Sequence, residues 1–545
     1  MKKITGAAIG NCVHVGGLHH FLKFAEAEGY ATSSLGPAVS VKRIVKAVNE
    51  EKPDILAISY RLTPETGAEL FSELAEALKD KKDLRIIFGG TPPVAAEARK
   101  SGLFEMVFDG TEPPETIRQY LRGSGKGNEK TRYSETLAER IKDKYPYPLI
   151  RHHFGRPSLQ ETVEGAAVIA ESGVLDVLSI GPDQNAQEHF FHPEEMDHGQ
   201  DGAGGVPVRK PEDLEAIYQA TRRGNYPLVR CYAGTRDLLR WAEMSVRTIN
   251  NAWAAIPLCW YSVIDGRSKR PIAEAIKEHQ EVMKWYASMN IPVEVNESHQ
   301  WSLRDAHDAI AVTMAFLAAW NAKKAGVRHY VSQYMFNTPP GTSAVMDIAK
   351  MLAKNEMIES LKDDNFTVFR EVRAGLAHLS PIPSVAMGQL AASAAISLSL
   401  KPHILHVVGY SEGDHAIFAD ELIQSCNIVH GVLRNLLHGM PDLSKSEEVT
   451  KRKVELKKEA GVILAELSRR GKERSNDPWS DPQNIAEAIR TGLLDAPHFK
   501  GNPHLCGEIT TRLIDGAWYA VDRNTGEPLS EQERIGRLPA TSRRS

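Results

Sequence analysis

Cysteine is scarce: five residues in 545, at positions 12, 231, 259, 426 and 506, with no CxxC pair among them. An odd number of widely spaced cysteines excludes a disulfide framework, a zinc ribbon and an iron–sulfur cluster, so a reducing cytoplasm is the expected compartment. Long hydrophobic runs are also missing. No stretch approaches the roughly 18–20 apolar residues that span a bilayer, and no membrane partner is expected. The opening Met1-Lys2-Lys3 and the short apolar stretch behind it imitate a signal peptide, but Gly10, Asn11 and His14 interrupt it, and it reads as a first strand. There is no basic surplus: 66 Lys and Arg stand against 70 Asp and Glu, a net charge of −4. A general nucleic-acid partner is thereby excluded, because no excess of cations exists to release counterions. What remains is ordinary globular composition, 42% hydrophobic and 25% charged, in a chain long enough for about two to four domains.

Residues 1–122 alternate short apolar strands with helical patterns. The expected strands are Ile4–Ile9, Tyr30–Ser33, Ile55–Ser59, Arg85–Phe88 and Met106–Phe108, separated by helical stretches such as Leu18–Glu28, Val41–Glu51 and Ala68–Lys79. That rhythm predicts an α/β, doubly wound parallel sheet of the flavodoxin-like kind, with its ligand at the carboxyl ends of the strands. A polar glycine-rich stretch, Gly123–Lys130, marks a linker assigned to residues 123–147. Eight strand-like segments follow at βα spacing: Pro148–His153, Val174–Gly181, Pro227–Tyr232, Ile256–Tyr261, Ile291–Asn296, Val327–Gln333, Thr367–Val372 and Ile404–Gly409. They predict a (β/α)8 TIM barrel over residues 148–430, whose catalytic face collects the strand ends. Residues 431–545 read as a helical extension packing on the barrel.

The segment Ile9-Gly-Asn-Cys-Val-His-Val-Gly-Gly-Leu-His-His20 lies between the first strand and first helix, at the ligand-binding turn of such a sheet. Small residues close the later strands: Leu35-Gly36, Ser59, Gly89-Gly90 and Gly110-Thr111. They leave room for a large group to approach the backbone. This pattern resembles the B12-binding domain of cobalamin-dependent mutases and of methionine synthase, whose signature is Asp-x-His-x-x-Gly, then Ser-x-Leu, then Gly-Gly. Here these become Cys12-Val13-His14-Val15-Gly16-Gly17, Ser59-Tyr60-Arg61 and Gly89-Gly90. The resemblance implies that His14 ligates cobalt from below, as the metal ligand, while the nucleotide tail enters past Ser59 and Gly89-Gly90. The cofactor-binding set is then Cys12, His14, Gly17, Leu35, Gly36, Ser59, Arg61, Gly89, Gly90, Gly110 and Thr111, with Glu412 added from the barrel. Cys12 stands where the family has an aspartate, and a thiol is a poorer partner than a carboxylate for orienting an imidazole.

The barrel resembles, more weakly, the barrel subunit of glutamate mutase. Gly492-Leu-Leu-Asp-Ala-Pro497, Gly234-Thr-Arg-Asp237 and Asp183 carry that likeness. It implies an adenosylcobalamin-dependent isomerase (mutase): a radical enzyme that abstracts hydrogen, shifts a carbon fragment and returns the hydrogen, with the corrin between the two domains. The substrate-gripping arginines of glutamate mutase do not carry over. Placed without gaps, they fall on His153, Gln187 and Tyr232, with Arg230 two residues before the last and expected on the opposite strand face. The acid that receives the substrate amine falls in Asn251–Ala254, where there is none. The expected substrate is therefore a small polar carboxylic acid other than glutamate. The catalytic candidates are His153, Gln187, Tyr232, Tyr261, Glu297 and His299. A cobalamin-dependent methyl- or group-transfer protein and a non-catalytic cobalamin sensor or carrier stay open as alternatives, as does a homodimer.

Overall fold

The computed structural model describes residues 2–110, 116, 117, 120, 121, 133–232, 234–437 and 439–538. The chain divides into two compact units, residues 1–132 and 133–545. In the first, strands β1 (Lys3–Ala8), β2 (Ala31–Ser34), β3 (Ile55–Tyr60), β4 (Arg85–Gly90) and β5 (Met106–Phe108) form a parallel sheet in the order β2-β1-β3-β4-β5. The central strand, Ile-Leu-Ala-Ile-Ser-Tyr, is buried along its whole length. Helices cover both of its faces, so an unbroken apolar run replaces the usual alternation. Ile44, Phe71 and Phe88 fill one side of the sheet, and Leu18, Phe21 and Ile87 the other. Strand order reverses between β1 and β3, the switch point at which such sheets open a ligand crevice.

The second unit is a nearly closed barrel. Its strands are β6 (Leu149–Phe154), β7 (Val177–Ile180), β8 (Leu228–Cys231), β9 (Ala254–Ile256), β10 (Val293–Val295), β11 (His329–Phe336), β12 (Thr367–Ala374) and β13 (Ile404–His406), all in parallel pairs. The one seam without a ladder lies between β8 and β9. There the Ala252 N–H donates to the Val229 carbonyl at 2.9 Å, and the Cys231 N–H to the Asn251 side chain at 3.1 Å.

Most expected strands are trimmed or shifted by a few residues, and two of the shifts bear on the site. The fourth barrel strand ends at Ile256 rather than Tyr261, because Pro257 has no N–H to give a central ladder. β11 runs on to Phe336, which moves Gln333 from a strand end into the barrel.

Strand alternation sorts the barrel interior into layers. Leu149, Val177, Leu228, Trp253, Val331, Phe369 and Ile404 make an apolar floor, capped by Leu137. Leu137 opens the helix Leu137–Lys144, so the later part of the stretch read as linker plugs the barrel instead; residues 123–132 lie outside the described ones. The C-terminal extension contains the long helix Glu447–Gly471 and also an antiparallel hairpin, β14 (Thr511–Ile514) and β15 (Ala517–Ala520). That hairpin corrects the all-helical expectation. Its Asp515-Gly516 turn has φ of 48° and 78°, the Asp-Gly signal of a two-residue turn. Against the expectation that no stretch approaches membrane-spanning length and apolarity, the helical segment Pro383–Leu400 reaches a mean hydropathy of 1.2 over 18 residues.

Candidate functional site

In the first unit the loop after β1 is tied down at several points. The Gly10 N–H donates to Val39 O at 2.9 Å and the Ala38 N–H to Cys12 O at 2.9 Å, while Tyr60 Oη donates to Asn11 Oδ1 at 3.2 Å. Cys12 is thereby buried and His14 exposed. The Cys12 Sγ lies 4.0 Å from His14 Nδ1. The thiol thus occupies the place of the expected carboxylate, at the outer limit of a hydrogen bond to sulfur. A proton on Nδ1 would leave Nε2 as the ligating atom.

Beside this loop a cleft of about 600 Å³ opens among the carboxyl ends of β3, β4 and β5. His14, Gly17, Ser59, Arg61, Gly89 and Gly90 all line it, as does Gly110. Two observations test whether a cobalamin tail fits there. Ser59 Oγ is buried without a hydrogen-bond partner, a donor left for something the cleft would hold. A Cβ built on Gly89 would meet nothing within 4 Å, so the glycine keeps open space rather than a tight contact. The residues present fit the group. Leu35 and Gly36 do not line the cleft; their backbones extend the β1–β2 pairing, with Leu35 N–H to Gly6 O at 2.8 Å and Ala8 N–H to Gly36 O at 3.2 Å. Thr111 lies outside the described residues. Glu412 belongs to the barrel, where it accepts from the Gly409 N–H at 2.6 Å and sits 3.4 Å from His152.

Above the barrel floor the interior turns polar. Arg151 is fully buried, bonded to Glu371, 3.9 Å from Glu294 and donating to Ser179 Oγ at 2.8 Å. Glu294 also accepts from the Trp253 indole at 2.7 Å, and Gln333 bridges the two carboxylates at 3.1 and 3.3 Å. Burial pushes the Glu371 carboxyl up, against the pull of Arg151. Arg230 faces inward, with its guanidinium 3.4 Å from Glu294 and 5.2 Å from the Tyr232 ring centroid. The expectation that Arg230 turns away from Tyr232 is therefore corrected: residues two apart on a strand share a face. His153 Nε2 accepts from Arg151 Nη2 at 3.0 Å and from Tyr232 Oη, and the two rings stack 4.7 Å apart. Burial and the surrounding guanidiniums hold His153 and His406 well below the usual imidazole range, hence neutral.

The other candidates are placed differently. Gln187 turns its amide back to Pro182 O at 2.9 Å. Tyr261 follows β9 at φ 59°, near Arg267, and burial pushes its phenol up to about 12. His299 is buried in the short helix Ser298–Ser302 and held neutral, down to about 3. Glu297 anchors the loop after β9. Its carboxylate accepts from the N–H groups of Leu258 (2.8 Å) and Cys259 (3.0 Å) and from the Trp301 indole (2.8 Å). Glu297→Ala should lower the unfolding free energy by about 3 kcal/mol or more, since three buried donors lose their acceptor at roughly 1–3 kcal/mol each; a urea titration reads this. Asp183 and Asp495 are likewise saturated. Asp183 pairs with Arg209 at 2.6 Å, and Asp495 takes the N–H groups of Gly507, Glu508 and Ile509 at 2.8–3.0 Å. Sequence reasoning gave no role to Arg151, Glu294, Glu371 or His406, whose signal was alternation of charge along the strands.

Among solved structures, a novel cobalamin-binding protein from Desulfitobacterium hafniense DCB-2 is 30% identical over 23% of this chain and 59% of its own, with a TM-score of 0.21. This chain therefore spans 59% of that relative's length. A truncated 3-deoxy-D-arabino-heptulosonate 7-phosphate synthase from Thermotoga maritima is 14% identical over 54% and 88% of the two chains, with a TM-score of 0.31. The cobalamin-dependent S-adenosylmethionine radical enzyme OxsB is 11% identical over 88% and 62%, with a TM-score of 0.17. Residues 2–118 match the family model of the B12 binding domain, so the N-terminal unit of this chain is a B12-binding domain.

Proposed function

We propose that the chain is a cobalamin-dependent isomerase that rearranges a small polar carboxylic acid other than glutamate. The observation that carries this reading is a B12-binding domain in one chain with a barrel whose interior, above an apolar floor, is built from buried arginines, carboxylates and neutral histidines. Adenosylcobalamin, when bound, supplies a carbon radical through homolysis of its cobalt–carbon bond. The residues that would hold it are His14, as a candidate cobalt ligand, and Ser59, Arg61 and Gly89-Gly90, which line the same cleft. The barrel residues bind and orient the acid. His153, kept neutral and fixed by Arg151 and Tyr232, offers a hydrogen bond without carrying a charge. The low-dielectric interior shields reactive carbon centres from water.

The test is an anaerobic assay of the adenosylcobalamin-loaded chain with a panel of mono-, hydroxy- and dicarboxylic acids. Turnover of a non-glutamate acid with a radical signal in electron paramagnetic resonance is expected. Glutamate and 3-methylaspartate should be turned over at least about 100-fold more slowly, since each missing charge-assisted contact to a carboxylate removes roughly 1.5–3 kcal/mol. Glutamate outpacing every other acid would contradict the reading. Methyl transfer from methylcobalamin would favour a group-transfer protein, and cobalamin binding without any turnover a sensor or carrier.

A further inference from the structure

The barrel interior holds donors that its own acceptors do not meet. His153 Nε2 already accepts from Arg151 and Tyr232, so the ring proton sits on Nδ1. That Nδ1–H is buried with no acceptor. All three guanidinium nitrogens of Arg230, which is 0% exposed, also lack a hydrogen bond. Arg373 donates only its Nε, to its neighbour's carbonyl at 3.1 Å; among the described residues its two terminal nitrogens have no hydrogen-bond acceptor.

These three side chains line one arc of the barrel. Strands β8, β7, β6, β13 and β12 are consecutive neighbours. Arg230 and His153 both pair in register with Ser179. Continuing the pairing of Val372 with Leu405 sets Arg373 beside His406, whose ring is 4.6 Å from that of His153. Charge points the same way. Arg151 and Arg230 stand against the buried carboxylates Glu294 and Glu371, while Arg373, half-buried and two residues beyond Glu371 on the same strand, makes no ion pair within 4 Å among the described residues. Glu412 is at the rim and already bonded to the Gly409 N–H. Arg373 is thus the one of these three guanidiniums with no carboxylate in contact.

We propose that Arg373, Arg230 and the Nδ1–H of His153 form a receptor for a single carboxylate, so that the barrel takes a monoanionic acid. The unpaired acceptors Gln333 Oε1 and Glu371 Oε2 suit a hydroxyl on the same molecule. This deepens the proposed function and rests on it for the expectation that the ligand is a small acid.

The experiment is calorimetric titration of the full chain without cobalamin, using 2-hydroxybutyrate and, as its neutral counterpart, 2-hydroxybutyramide. The acid should bind at least about tenfold more tightly than the amide, the effect of one charge-assisted hydrogen bond. Arg373→Gln should weaken the acid about tenfold or more and leave the amide unchanged, and Arg373→Lys should fall between. A matching urea midpoint shows that the variants fold; if Arg373→Gln does not, the lysine variant and the acid–amide comparison on the unaltered chain still decide. Equal binding of acid and amide, no binding of the acid, or acid binding indifferent to Arg373 overturns the receptor. Because no cobalamin is present, those outcomes leave the isomerase reading to its own turnover assay, and failed turnover does not alter the binding result.

Discussion

Gly89→Leu should abolish cobalamin retention while leaving the N-terminal unit folded. A Cβ at Gly89 meets no atom within 4 Å, so the backbone tolerates a side chain there. Yet that side chain would stand in the cleft of about 600 Å³ that Gly89 lines with Ser59 and His14. Even one extra methylene in a filled site costs about 1–3 kcal/mol, so a leucine should weaken binding by about 100-fold or more. The control is the adjacent glycine. A Cβ on Gly90 would lie 2.5 Å from Tyr60 O, so Gly90→Ala should destabilise the sheet itself, whether or not cobalamin is present. Desalting the hydroxocobalamin-loaded chain and recording its corrin absorbance separates the two variants from each other and from the unaltered protein. A Gly89→Leu chain that stays coloured would place the cofactor elsewhere.

The second large effect concerns the barrel interior. Arg151→Leu should lower the unfolding free energy by about 3–5 kcal/mol, the cost of leaving buried charges unpaired. Arg151 is 0% exposed and stands between Glu371 and Glu294. Without it two carboxylates share a dry layer, with Gln333 between them, Trp253 and Arg230 against Glu294, and the neutral His406 ring against Glu371. Adding Glu371→Gln should recover part of the loss by removing one of the like charges. Urea titration of the single and double variants reads both changes. Additive losses in the pair would show that the Arg151–Glu371 contact contributes nothing of its own.

Much of this architecture is visible in the sequence. Apolar runs bounded by glycine, proline and polar loops locate all thirteen parallel strands, because strands buried on both faces must be continuous and hydrophobic. Boundaries fail where a second rule intervenes: Pro257 ends β9 early, and the helix at Leu137 hides behind a glycine-rich run. The cofactor cleft is equally legible, since its glycines and Ser59 sit at strand ends that the fold brings together. The barrel site is less so. Glu297 reads as a strand-end acid, yet its three N–H partners include Leu258 and Cys259, a loop whose path no local pattern dictates. Arg230 and Arg373 look unremarkable one at a time. Only the closing of the barrel, with β6 beside β13 and β12, shows that their charges share one interior.

The account turns on His14, whose Nδ1 lies 4.0 Å from the Cys12 thiol. Electron paramagnetic resonance of the full chain loaded with cobalt(II) cobalamin tests it most directly. Nitrogen hyperfine splitting from one axial ligand should change when histidine alone is labelled with nitrogen-15, should vanish as a histidine signal in His14→Ala, and should sharpen in Cys12→Asp, where a carboxylate orients the ring. A splitting indifferent to histidine labelling would mean that the cofactor keeps its own base, or none, below the cobalt, and would contradict the assignment of His14.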